Sequence, residues 1–194
     1  MRLFPLVSAL AVVLAAHSPA YAQRPSTVGS NVKADAAAYA QGLDLALSLA
    51  ALVASNEVPD LASLQAHVGL TFIDPQAADV PGGKSILGLA SMRGQPAPLF
   101  AHIAATTNSN GSKRSTLSLE RLGCPSAKPL FARLAPHWKG APRRLDSSKL
   151  RGGADEFSGT LSGATSAPWT LLVERGKDTD CLVFVAIYLG EKNN

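Results

Sequence analysis

Apolar positions along the chain follow two different rhythms. Over residues 32–55 they crowd almost the whole circumference of a 3.6-residue period, with Leu43, Leu45, Leu47, Leu49, Leu52 and Val53 spread around it. The polar residues Gln41, Asp44, Ser48 and Ser55 keep steps of three, four and seven and form one narrow stripe. This pattern predicts a long helix that the rest of the fold largely encloses, ended at Asn56, which tolerates a left-handed cap. Pro59-Asp60 opens a second, shorter helix with Leu61, Leu64 and Val68 at helical spacing and Gly69 as its stop.

Beyond Gly69 the period changes to two. Short apolar runs at 70–73, 86–92, 99–106, 115–121, 157–161, 169–174 and 181–189 read as strands, most of them bounded by Gly, Pro or Asn. Residues 115–120 alternate as a half-exposed antiparallel strand does, and 181–189 is apolar at both parities, which predicts a mid-sheet strand covered on both faces. Asn110-Gly111 and the polar stretch 175–180 predict hairpin turns. Pro129 with Leu130, Phe131 and Leu134 predicts a short helix stopped by Pro136. Its heptapeptide from Pro129 nearly repeats the one from Pro98, but at no recurring period, so the likeness reads as chance. Helices followed by strands without alternation predict an α+β fold. The long and short N-terminal helices pack on a mostly antiparallel sheet of about six or seven strands.

Composition adds a compartment. Arg2, an uncharged apolar run over 6–16, a helix-breaking His17-Ser18-Pro19 and Ala20-Tyr21-Ala22 follow the order of a secretory signal, with cleavage expected after Ala22. The apolar run falls short of the roughly 20 residues a bilayer needs. Residues 34–54 carry Asp35, Gln41, Asp44 and Ser48, which argues against a membrane span there. The expected organisation is a signal at 1–22, a flexible lead-in at 23–31, one α+β domain over 32–190 and a disordered tail at 191–194. Cys124 and Cys181 are the only cysteines. In an exported chain they read as one disulfide, since neither lies in a C-x-x-C or beside a histidine. The expected location is therefore periplasmic or secreted.

Charge is uneven. Residues 113–151 hold ten Lys and Arg against Glu120 and Asp146, while the flanking segments are mildly acidic. Lys139, Arg143, Arg144, Lys149 and Arg151, with Trp138 among them, form the candidate surface for an acidic protein or an anionic envelope polymer. The plainer reading is a solvated basic loop paired in part with Asp155, Glu156 or Asp178. No nucleic-acid motif accompanies the cations.

Candidate chemistry is sparse. Gly82-Gly83-Lys84-Ser85 ends like a phosphate-binding loop, but Ala78 stands where that motif needs Gly, so a turn is expected. His67, His102 and His137 sit on three separate elements without metal-ligand spacing. Ser162 in Gly159-Thr-Leu-Ser-Gly is displaced by one from a nucleophile elbow, and Asp155-Glu156 are adjacent rather than opposed. Asp44 is the one acid a largely enclosed helix could present to a cleft. No catalytic residue, cofactor or metal site is assigned. The expectation is a small exported, non-enzymatic binding protein of the bacterial envelope type, such as an inhibitor, an immunity-type protein or an accessory factor. The alternative is a small secreted hydrolase whose residues converge from distant elements.

Overall fold

The computed structural model describes residues 28–55, 57–145, 153–163, 166–176 and 179–191, with side chains of the first helix from residue 34 onward. Among the described residues, three α-helices cover one face of a nine-stranded antiparallel sheet, an α+β arrangement. Helix α1, Val28–Ala54, starts inside the expected lead-in, and α2 spans Leu61–Val68. Asp60 caps α2 by accepting from the Ser63 amide at 2.8 Å, and Gly69 ends it at a left-handed φ of 65°. The cap expected at Asn56 lies outside the described residues.

The strands form two meanders joined at the centre. In the first, β1 (Leu70–Phe72), β2 (Gln76–Val80), β3 (Gly83–Met92), β4 (Leu99–Thr107) and β5 (Lys113–Glu120) follow one another. The second contains β6 (Arg143–Leu145), β7 (Ala154–Thr160), β8 (Pro168–Arg175) and β9 (Leu182–Gly190). The order β1-β3-β4-β5-β9-β8-β7-β6 places β5 against β9, and β1 and β2 share the outer edge of β3. Helix α3, Lys128–Leu134, connects the meanders and runs into a 3-10 turn at Ala135–His137, so the chain continues through Pro136 in a tighter helix.

Two strands escape a reading based on alternation. β2, Gln-Ala-Ala-Asp-Val, is exposed along almost its whole length, and β6 is three residues of which two are arginine. Both lie at sheet edges, where charge and exposure suit a strand that buries little and must not attract another chain. The two similar heptapeptides adopt opposite structures: the one from Pro98 lies in β4, the one from Pro129 in α3. Tertiary burial decides between them. In β4, Leu99, Ala101 and Ile103 alternate onto the core, whereas α3 turns Leu130 and Leu134 inward at helical spacing.

The core lies between the sheet and the helices. Leu45, Leu49, Leu52 and Val53 of α1, Leu64 and Val68 of α2, and Leu130 and Leu134 of α3 meet Ile103, Leu117, Leu119, Trp169, Leu171, Val185 and Ile187 of the sheet. Ser115, buried on this same face, donates its hydroxyl to the Pro59 carbonyl and so ties β5 to the approach of α2.

Two sequence expectations need correction. Helix α1 is covered on one side rather than largely enclosed: Tyr39 and Leu47 are exposed, and the outer positions Ala36, Ala40, Ala51 and Ala54 carry no charge. Alanine accounts for the misreading, because a face of small residues scores as apolar while leaving little surface to bury. By length and hydropathy, Ala34–Ala54 meets the criterion for a membrane span, and one third of it is buried against the protein. Strand β9 does lie mid-sheet, between β5 and β8, and its Leu182, Val185, Ile187 and Leu189 join the core under the helices. Among the described residues, no second layer of elements covers Phe184 and Tyr188 on its other side, and Ala186 between them is shielded by its neighbours on the sheet.

Candidate functional site

The described members of the candidate basic surface, Trp138, Lys139, Arg143 and Arg144, lie at the β6–β7 end of the sheet. Because successive residues of a strand point to opposite faces, Arg143 and Arg144 part company. Arg143 pairs with Glu156 at 2.9 Å on the face away from the helices, and Arg144 pairs with Asp155 at 3.1 Å on the helix side. Asp155 also meets Arg175 at 3.4 Å, and the Arg175 guanidinium lies 5.4 Å from the Phe131 ring centroid. Sequence reasoning missed Arg175 as a member. The 175–180 turn leads from β8 into β9; Arg175 is brought in by the pairing of β8 on β7, which sets Val173 opposite Asp155.

Trp138 is a supporting element here. Its ring stacks on Phe157 at 4.4 Å and meets Phe131 edge-on at 6.4 Å, which joins α3 to β7. Lys139 donates its amide to the Ser158 carbonyl at 2.6 Å, and its ammonium is exposed. Gly159 lies beneath the His137 carbonyl and the Trp169 indole, so a side chain there would push the stack off the sheet. Lys149 and Arg151, with Asp146 and Asp178, lie outside the described residues.

The ion pairs are layered. The arginine side chains remain 69% and 51% exposed at Arg143 and Arg144, whereas Glu156 and Asp155 are 17% and 19% exposed. The carboxylates therefore sit underneath and the guanidinium groups form the outer surface. Exposed pairs of this kind contribute little stability, about 0–1 kcal/mol each. What they fix is position: each arginine is anchored on a β7 carboxylate, which presents a cation on either face of the sheet edge.

Cys124 and Cys181 are joined in a disulfide, with Cα atoms 4.6 Å apart. Around it lies a knot of backbone contacts. The Ser126 amide donates to the Ala38 carbonyl of α1 at 2.9 Å, the Ala127 amide to the Asp180 carbonyl at 2.8 Å, and the Ser126 hydroxyl to the Asp180 carboxylate. Gly42 makes the approach possible, since a Cβ there would stand 2.1 Å from the Ser126 carbonyl oxygen. Bridge and knot hold α1, the α3 approach and the start of β9 together. On one side of the bridge is a cleft of about 460 Å³ bordered by Glu120, Arg121, Glu174 and Phe184. On the other, Asp35, Tyr39, Ser126, Lys128 and Asp180 border a second of similar size.

The remaining candidates are dispersed. His67 bonds the Ser63 carbonyl through Nδ1 at 2.7 Å within α2, His102 lies on the uncovered side of β4, and His137 ends the 3-10 turn. Among the described residues, no group of three or more His, Cys, Asp or Glu is placed to hold a metal ion. Pro81-Gly82 makes the two-residue turn between β2 and β3, with Gly82 at φ 76°, and Lys84 pairs with Asp79 at 3.6 Å. Asp44 is half-buried beside Gly94, in the loop after β3. Asp60 has its carboxyl held below the ordinary value of 3.8, chiefly by the Ser63 amide, then by the Ser63 hydroxyl, with Lys113 adding a favourable charge. The disulfide and the apolar N-terminal helix are compatible with an exported chain. No family model, curated protein or solved structure matches the chain.

Proposed function

We propose that this chain is an exported, non-enzymatic binding protein of the bacterial envelope type, and that it acts by contact with an anionic partner. The leader over 1–22, cleaved after Ala22 into the periplasm or exterior, and the paired cysteines support export. The anionic partner is an acidic protein surface or envelope polymer, met at the β6–β7 edge. One observation carries this reading: Arg143 and Arg144 lie outside the carboxylates that hold them, so the outermost charge is positive. Arg175 and Lys139 add to the same sign along β7, where Asp155 and Glu156 are the carboxylates in ion pairs with these cations among the described residues.

Such a surface recruits anions over a Debye length of about 8 Å at physiological salt and loses them as salt rises. The test is retention of the purified mature chain on immobilised poly-glutamate across a salt gradient, with Arg143→Glu/Arg144→Glu beside the parent. Export and contact together predict early elution of the double variant, with its fold retained by circular dichroism and its melting temperature lowered by no more than a few degrees. Equal elution of both proteins rejects the edge as the contact. Hydrolysis of peptidoglycan, ester or phosphoester substrates by the parent would favour the hydrolase alternative.

A further inference from the structure

The sheet face opposite the helices carries residues of a kind seldom left to solvent. Cross-strand partners share a face, so the pairing registers read out its surface row by row. One row runs Leu89, Phe100, Glu120, Phe184, Glu174, and the next Leu87, His102, Ser118, Ala186, Leu172, Glu156. A third includes Ala104, Thr116, Tyr188 and Thr170. At the far end Arg114 lies with its guanidinium 5.4 Å from the Tyr188 ring centroid, its Nε buried without a hydrogen-bond partner. Leu89 is 40% exposed, and Phe100, Leu172, Phe184 and Tyr188 are half-buried.

Apart from the Arg143–Glu156 ion pair at the β6–β7 edge, the charges on this face are sorted along the strand direction. Glu120 and Glu174 flank Phe184 at one end, and Arg114 stands at the other. Arg121 borders the cleft at the acidic end but leaves β5 at a left-handed φ of 60° rather than continuing the row. From Arg114 to Glu120 is six residues, about 20 Å along a strand. A two-fold axis lying in the interface and perpendicular to the strands reverses strand direction in the second copy. It then sets the Arg114 end of each copy over the Glu120 and Glu174 end of the other, with Phe100, His102, Ser118 and Leu172 between them.

We propose that a second copy of this chain covers the open face, as a two-fold symmetric, face-to-face sheet dimer. The charge order is self-complementary under that symmetry, which an isologous contact requires. A lipid surface would meet carboxylates at one end, whereas interfacial binding relies on cations around an apolar face. Six strands about 4.8 Å apart and about 20 Å long give roughly 480 Å² of projected area per copy, about 960 Å² for the pair, which is the size of a weak, transient interface. The dimer is therefore concentration-dependent. It leaves the helix side of that edge, where Asp155 pairs with Arg144 and Arg175, outside the dimer contact.

Sedimentation equilibrium of the mature chain over a range of concentrations and salt tests this. The expected result is a reversible monomer–dimer equilibrium that weakens with salt. Arg114→Glu and Glu120→Arg should each weaken it about tenfold or more, and the double exchange, which restores opposite charges across the two-fold, should bring it back to within a few-fold of the parent. Because Arg114 is partly buried, Ser118→Arg at the centre of the face gives a second reading: a monomer with an unchanged melting curve. A parent that stays monomeric throughout overturns the proposal. So does a dimer insensitive to these substitutions, or a monomer that binds lipid vesicles through this face.

Discussion

Gly42→Ala separates local propensity from tertiary structure, because the two predict opposite signs. In a helix interior Ala is favoured over Gly by about 1 kcal/mol, so local reasoning predicts a more stable protein. In the fold, the added methyl stands 2.1 Å from the Ser126 carbonyl oxygen and 3.1 Å from its carbonyl carbon. An ordinary C···O approach is about 3.4 Å, so the two segments must part by more than 1 Å. Both contacting atoms are backbone, which leaves no rotamer to relieve the overlap. Overpacking of this kind costs about 1–3 kcal/mol. Parting the segments also weakens the Ser126–Ala38 hydrogen bond, about 1 kcal/mol more. Set against the propensity gain, the net loss is about 1–3 kcal/mol, a melting temperature lower by about 3–10 °C for a chain of this size. Thermal and urea unfolding of the oxidised protein measure it. Ala40→Gly on the exposed side of the same helix serves as the reference for propensity alone, at about 1 kcal/mol of loss. A Gly42→Ala protein that melts at or above the parent temperature would refute the close approach of α1 to the Ser126 backbone.

Replacing both cysteines by serine opens a link between residues 57 apart and should lower stability by about 4 kcal/mol in the chain-entropy model, read as the shift in urea midpoint. Ser115→Ala leaves the Pro59 carbonyl without its buried donor and should cost about 1–3 kcal/mol, whereas the same change at exposed Ser91 should be near neutral. At Asp60 the folded-state carboxyl titrates below its unfolded value. Its contribution is therefore complete above pH 3.8 and is lost as pH falls through the lower folded value. Asp60→Asn keeps a capping oxygen without the charge, so its unfolding midpoint should depend less on pH across that acid range than the parent's.

Elements that bury an apolar face were legible in the residues alone. α2, with Asp60 before it and Gly69 after it, stands out through caps and helical spacing, and β5 through strict alternation of Ser115, Leu117 and Leu119 with polar neighbours. β2 and β6 were not, because an edge strand held mainly by backbone pairing imposes no side-chain period. The disulfide followed from an even cysteine count, but the knot around it did not, since nothing local marks Gly42 as a contact for a carbonyl 84 residues away. The basic segment showed its charge and not its geometry. Only the register of β6 on β7 sends Arg143 and Arg144 to opposite faces and brings Arg175 in from a distant strand. The bare face of β9 was read as covered because apolar residues at both parities ordinarily mean two layers, and within one chain only one layer is described.

Intact mass of the protein recovered from its native source, with thiols alkylated before denaturation and again after it, tests export most directly. A chain that begins at Gln23, takes up no label at Cys124 or Cys181 and gains two labels only after reduction is the predicted result. Native material that still carries Met1 and labels at both cysteines without reduction would contradict it, and with it the exported, partner-binding role.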